Sequence, residues 1–300
     1  MPRPDRPDAQ QGSRLFKLLR RSLAGARGMR SKHGASLALD ILAANGVDEI
    51  AITRGDGRRL HLSTRDKVIA SEVIRLGSFG RANMEAFGRM LSSARLDPAA
   101  LTFVNVGANI GTACLNAYDI GFRRFVAIEP EPENFRLLEL NLGELTDADV
   151  RCLPVAVGDV PGHAALHRHR TNLGSHSLVG PARSGATEDT IRVAVEPLSS
   201  VVPSDRSFVL FIDVEGFEPQ VIRSGTVAIE QACEAIALEV TPAKYAPADA
   251  ADLQRRLAAI APELTVLPSG TTHPTASLAR LMAERPHGHF DVALVCSPRR

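Results

Sequence analysis

From Leu101 onward the chain alternates short, continuously apolar runs with segments of helical periodicity, and this alternation restricts its fold more than any other property. L-T-F-V-N-V reads as a strand, 110–120 as a helix, R-F-V-A-I-E as a second strand and 132–142 as a helix. Pro132 falls in that helix's first turn, where its missing N–H costs little. V-R-C-L-P-V-A-V reads as a third strand, followed by a looser polar stretch over 162–189. Then come I-R-V-A-V, S-F-V-L-F-I-D-V, a helix from about Glu218, A-I-A-L-E-V, a helix over 253–260, and E-L-T-V-L and H-F-D-V-A-L-V-C as closing strands. Strands that are apolar throughout, rather than at every second residue, belong to a sheet covered on both faces. Their alternation with helices makes that sheet a doubly wound, mainly parallel α/β one.

Three segments follow from this reading. Residues 1–34 comprise a polar, proline-rich tail expected to be disordered and a basic amphipathic stretch over 14–30. There Leu15, Phe16, Leu18, Leu19 and Leu23 recur at helical spacing among Lys17, Arg20, Arg21, Arg27 and Arg30. Such a helix packs on its own body or docks a membrane surface or protein partner. Residues 35–98 form an N-terminal accessory region. Its two β-like runs around R-G-D-G-R predict a hairpin, which makes the Arg-Gly-Asp tripeptide turn chemistry. Helical periodicity over 67–93 is interrupted at glycines 77 and 80. Residues 99–300 form the main α/β domain.

Composition narrows the partners. With 35 basic against 34 acidic residues, no strong field draws the chain to nucleic acid. The four cysteines are far apart and make no C-x-x-C pair, which argues for reduced thiols, against a disulfide framework or zinc knuckle, and for a cytoplasmic location. No apolar run approaches the roughly 18 residues of a membrane span, and the N-terminus lacks the apolar core of a signal peptide.

In a sheet of this kind ligands bind at the carboxyl ends of the strands. The first strand ends in Gly107-Ala108-Asn109-Ile110-Gly111. Glycine there lets the backbone turn tightly and approach a ligand, and the following helix presents free N–H groups. The spacing is not the G-x-G-x-x-G of a dinucleotide site, which argues against a nicotinamide oxidoreductase, and the G-K-[ST] of a phosphate loop is absent. The next strand ends in Glu129, whose carboxylate can accept both hydroxyls of a ribose; the alternative is a cap for the following helix. One ribose without a pyrophosphate is what S-adenosylmethionine offers.

Together, V-N-V-G-A-N-I-G-T, V-A-I-E-P-E-P-E-N-F-R-L-L-E-L-N-L, P-V-A-V-G-D and F-I-D-V-E-G-F-E resemble the FkbM-type family of S-adenosylmethionine-dependent methyltransferases. The resemblance implies a seven-stranded, Rossmann-like class I methyltransferase sheet and O-methylation of a hydroxyl on a glycan or small secondary metabolite. It places Gly107, Asn109 and Gly111 against the methionine part of the cofactor, Glu129 on the ribose, and Val157 to Asp159 beside the adenine. Asp213 and Glu215 would face the acceptor or the methionine end. Two positions depart from the pattern. Asn105 stands where members commonly carry an Asp that orders the methionine ammonium, and Phe211 where they commonly carry a Lys beside Asp213.

Methyl transfer to a hydroxyl needs alignment and a base, or a cation that acidifies the hydroxyl. Asp213, Glu215 and Glu239, at adjacent strand ends, are the candidates. A divalent cation such as magnesium is the less favoured use of them, and no metal ligand is assigned. His176, in N-L-G-S-H-S-L, is a candidate base titrating near neutral pH. The pairs His167/His169 and His287/His289 read as solvated faces. The alternative to an enzyme is a non-catalytic methyltransferase-like module that docks through residues 14–30.

Overall fold

The computed structural model describes residues 31–180 and 186–297, so the basic stretch over 14–30 lies outside the described residues. Helix α1 (Lys32–Ala44) starts at Ser31, whose hydroxyl accepts from the Gly34 N–H and so satisfies one of the first turn's unpaired donors. The expected hairpin forms from β1 (Glu49–Thr53) and β2 (Arg59–Ser63), and two helices follow, α2 (Ile69–Leu76) and α3 (Arg81–Ser93), parted at the two glycines.

The alternation then unfolds as β3 (Thr102–Val106), α4 (Thr112–Asp119), β4 (Arg124–Ile128), α5 (Pro132–Leu142) and β5 (Asp149–Leu153). Next come β6 (Ala156–Val157), β7 (Gly162–His169), β8 (Ala186–Glu196), α6 (Leu198–Val201) and β9 (Phe208–Ile212). The rest is α7 (Glu218–Ser224), α8 (Thr226–Ala232), β10 (Cys233–Val240), α9 (Pro247–Ile260), β11 (Glu263–Leu267), β12 (Thr271–Pro274), α10 (Leu278–Glu284) and β13 (Phe290–Val295).

Eight strands make the main sheet, in the order β12-β11-β13-β10-β9-β3-β4-β5. The expected seven are present, with short β12 added at one edge. Strands β5, β4, β3, β9 and β10 run parallel, whereas β13 is antiparallel to both neighbours. The strand order reverses between β3 and β9, which opens a crevice at their carboxyl ends.

Both faces are covered, for the reason the apolar strands suggested. On β3, Phe103 packs with Leu39, Phe87, Leu115 and Leu138 on one face. Val104 and Val106 pack with Leu198, Val221, Leu253 and Leu281 on the other. Residues of the accessory region therefore share a core with the sheet. All four cysteines are free. Among the described residues no helix is long and apolar enough to cross a membrane.

Two expectations are corrected. V-R-C-L-P-V-A-V is not one strand: Pro154 offers no N–H for a ladder, so β5 stops at Leu153 and β6 joins a separate three-stranded sheet ordered β6-β8-β7. The stretch over 162–189 is not wholly loose, because β7 fills its first part and β8 begins within it. Strand β7 was hidden because Leu166 alone among its residues is buried, leaving almost no apolar signal.

Candidate active site

A cavity of about 670 Å³ opens at the carboxyl ends of β3, β4, β9 and β10. Its floor is the turn after β3. Gly107 has φ 81°, and a Cβ there would lie 1.8 Å from the carbonyl oxygen of Asp213. Glycine is thus demanded by the neighbouring strand exit, where the Asp213 N–H also donates to the Val106 carbonyl at 3.0 Å. Gly111, at φ 90°, does not line the cavity: a Cβ would meet Leu138 and Leu142 of α5 at 3.0 and 3.2 Å. Its expected place beside the cofactor gives way to a packing role between α4 and α5. Asn109 does line the cavity, in a left-handed conformation at φ 50°.

Glu129 is 5% exposed and lines the cavity from the end of β4. One carboxyl oxygen accepts from the Asn109 N–H at 2.8 Å and the other from the Glu131 N–H at 2.9 Å. Burial pushes its carboxyl up to about 7, against the pull of those two amides. The capping role belongs instead to Glu131, which accepts from the Asn134 N–H at 2.8 Å at the start of α5. Each oxygen of Glu129 keeps a second lone pair, so the residue has capacity for two further donors.

Val157 lines the cavity, with Ile128 and Val155 nearby, as an apolar wall. Asp159 does not; it accepts from Arg223 of α7 at 2.9 Å, drawn off by a guanidinium that Asp249 and Asp252 also hold. Asn105 is fully buried, with its amide donating to the Phe211 carbonyl at 3.4 Å and its oxygen accepting from Cys114 at 3.4 Å. The two departures from the family pattern are register partners on β3 and β9. Phe211 leans on Phe103, ring centroids 5.8 Å apart. Neutral side chains thus stand at both positions where the resemblance implies a charge, an acid for the methionine ammonium and a lysine beside Asp213.

Asp213, Glu215 and Glu239 come together as expected, with carboxylate oxygens within 4.8 Å of one another. Asp291, unforeseen, joins them from β13, where it sits opposite Glu239 in register, and Asn83 of α3 donates to it. Burial first, then the neighbouring carboxylates, hold Asp213 and Glu239 well above the usual carboxylate range. Burial lifts Asp291 to about 6, with His289 and Asn83 pulling it back. Groups this close cannot all ionise, so the cluster retains protons. Oxygen Oε2 of Glu239 is buried without a partner among the described residues. The spacing alone would admit a divalent cation, but Lys244 is already paired with Glu215 and supplies positive charge there.

His176 lines the cavity, but not as the expected base. Its Nδ1 accepts from the His169 N–H at 2.9 Å, and burial, then Arg168 and His169, pushes its pKa down to about 4. The ring is neutral at physiological pH, with its remaining proton on Nε2 as a donor. His287 and His289 stand exposed at the cavity rim.

Further residues of the site carry no role in the sequence reading. Glu218 is fully buried and accepts from the N–H groups of Val214 and Gly216, while Tyr245 donates to it at 2.8 Å. Those contacts clamp the exit of β9 to the segment after β10. Glu218 was visible in D-V-E-G-F-E and Asp291 as an acid inside an apolar strand, whereas nothing marked Asn83.

Residues 105–260, more than half the chain, match the family description Methyltransferase FkbM domain. No curated protein matches the chain. Among solved structures it is similar to methyltransferase FkbM from Methylobacillus flagellatus, at 15% identity and a TM-score of 0.46. That likeness covers 76% of this chain and 53% of the other, so the chain spans about half that protein's length. It is also similar to a SAM-dependent O-methyltransferase from Thermotoga maritima, at 13% identity and a TM-score of 0.40 over 83% of this chain and 78% of that one. A precorrin-6y C5,15-methyltransferase from Geobacter metallireducens gives 13% identity and a TM-score of 0.37 over 71% and 88%.

Proposed function

The chain belongs to the FkbM methyltransferase family, and from that membership we propose that it uses S-adenosylmethionine to methylate a hydroxyl of a glycan or small secondary metabolite. The observation that carries this reading is Glu129: a buried carboxylate at the end of β4, lining the cavity, with one acceptor site left on each oxygen. A cis-diol is the group that fills both acceptor sites at once. The residues around it suit the rest of the cofactor. Val157, Val155 and Ile128 offer an apolar wall for a base, and the turn from Gly107 to Asn109 approaches the methionine end with Asn105 beneath it.

When bound, S-adenosylmethionine supplies an electrophilic methyl carbon carried on a positively charged sulfur. The chain's own part is to align the acceptor, keep water out and take up a proton. Asp213, Glu239 and Asp291 accept hydrogen bonds from a polyol, and an ionised member of the cluster takes the proton that the acceptor hydroxyl gives up. Neutral His176 donates from Nε2 rather than acting as base. The accessory region closes the cavity's far side with Phe79, Asn83 and Met84, which makes it a contributor to acceptor choice.

Calorimetry with S-adenosylhomocysteine tests the reading. One binding site is expected, and Glu129→Ala is expected to weaken it roughly 10- to 100-fold through loss of two hydrogen bonds to a charged group. A folded sample that gives no heat at millimolar ligand sinks the proposal. Unchanged affinity in the variant would confine Glu129 to holding the loop amides.

A further inference from the structure

We propose that Glu215 is a positioning residue: it fastens segment 172–177 across the cavity, and through that segment the cofactor loop and the acid cluster are held in one arrangement. The inference rests on reading the cavity as a cofactor site, and it removes Glu215 from the candidates for base.

Segment 172–177 is a built element. It returns antiparallel to β7, with the N–H and C=O of His167 paired to Ser177 at 2.9 and 3.1 Å. Inside it, Asn172 donates through Nδ2 to the Ser175 hydroxyl at 2.6 Å, and the Ser175 N–H donates to the Asn172 carbonyl at 3.0 Å. It lines the cavity with Leu173, Gly174, Ser175 and His176.

One end is tied to the cofactor loop. The Leu173 carbonyl accepts from Nδ2 of Asn109 and of Asn134, each at 2.9 Å. Asn109 is also the residue whose N–H holds Glu129. The other end is tied to Glu215. The Ser175 hydroxyl donates to its Oε1 at 2.9 Å, the Ser177 hydroxyl donates to its main-chain carbonyl at 2.8 Å, and Lys244 is paired with its Oε2. Glu215 adopts φ 56°, the left-handed region that a residue with a Cβ occupies only when its surroundings hold it there. Both side-chain oxygens and the carbonyl are engaged by the chain itself, which is the state of an anchor. Unlike Glu129, whose carboxylate meets only main-chain amides, Glu215 spends one oxygen on the segment itself and the other on the Lys244 cation.

An anchored segment is already ordered before the ligand arrives. Releasing either tie makes the ligand order the segment, and affinity falls by that amount. The two ties act on the same few residues, so their effects overlap rather than add.

The test uses the whole chain, S-adenosylhomocysteine calorimetry and amide hydrogen exchange over 172–177. Glu215→Ala is expected to weaken binding about 10-fold, in line with losing a charged hydrogen bond, and to speed exchange of the segment in the free protein. Glu215→Gln, whose amide oxygen still accepts from Ser175, is expected to restore most of both. Ser177→Ala, a milder change that leaves the fold intact, should give a smaller loss in the same direction. The double variant Glu215→Ala/Asn109→Ala should lose less than the product of the single losses. Equal loss in Ala and Gln with exchange unchanged would make Glu215 a direct ligand contact and overturn the proposal, as would unchanged affinity and exchange in Ala. If the wild type binds no S-adenosylhomocysteine, the functional reading fails, and exchange in the free proteins still decides whether Glu215 fastens the segment.

Discussion

Glu129 holds one backbone N–H on each oxygen, and its carboxyl is pushed up to about 7 by burial. A diol donating two hydrogen bonds stabilises the ionised form, so binding favours loss of the proton. Above this pKa the carboxylate is already ionised and affinity is flat. Below it a proton must leave first, and affinity for S-adenosylhomocysteine is expected to fall about 10-fold per pH unit down to about pH 5. Calorimetry in buffers of different ionisation enthalpy reads the released proton directly, and Glu129→Ala should abolish the pH slope. The sequence made Glu129 legible as either a ribose partner or a helix cap, and the structure gives the cap to Glu131. It also found Gly107, though for another reason than the one the packing gives: the obstacle to a Cβ is the Asp213 carbonyl, contributed from far along the chain. The low pKa of His176 and the pairing of Asp159 with Arg223 depend on neighbours that only the fold supplies.

At the scale of elements, the start of α5 combines Pro132 in its first turn with Glu131 as cap, a carboxylate that also pairs with Arg168 of β7 at 3.1 Å. The cap therefore joins the main sheet's helix layer to the small sheet. Glu131→Ala is expected to cost roughly 2 kcal/mol, more than a surface cap, because it also removes a buried charge partner. Urea denaturation monitored by circular dichroism measures it, and a cost near zero would mean that Arg168 finds equal compensation elsewhere. Elements with strong apolar runs, β3, β4, β9, β10 and β13, were read at close to their observed limits because both faces of the sheet demand hydrophobic side chains. The small sheet was not, since β6 is two residues long and β7 buries only Leu166.

For the molecule as a whole, several carboxyls are buried with raised pKa values: Asp66 and Asp291 to about 6, Glu129 to about 7, and Asp213 and Glu239 higher, burial being the first cause in each. In the unfolded chain such groups ionise near pH 4, so at neutral pH the folded protein binds more protons than the unfolded one. Stability therefore rises as pH falls through those folded values, and it is lost as pH climbs past them. The thermal midpoint is expected to increase from about pH 8 to about pH 5.5, the reverse of the common acid trend. Acid destabilisation should begin only lower, where Glu49, held down by its hydrogen bond to His61, takes up its proton. Scanning calorimetry across that range settles it, and a midpoint that falls steadily on acidification would contradict the burial of these groups.

Strand β13 follows every other described strand in sequence, yet it lies inside the sheet, between β10 and β11 and antiparallel to both. It also carries Asp291, to which Asn83 of α3 donates from 208 residues earlier in the chain. During synthesis the other strands emerge first, leaving a slot one strand wide with two open edges. The part of the cavity formed by the ends of β3 and β4 is thus translated well before Asp291. A nascent or clipped chain lacking β13 can form the pocket around Glu129 and still lack Asp291, so under the proposed function competence waits for β13.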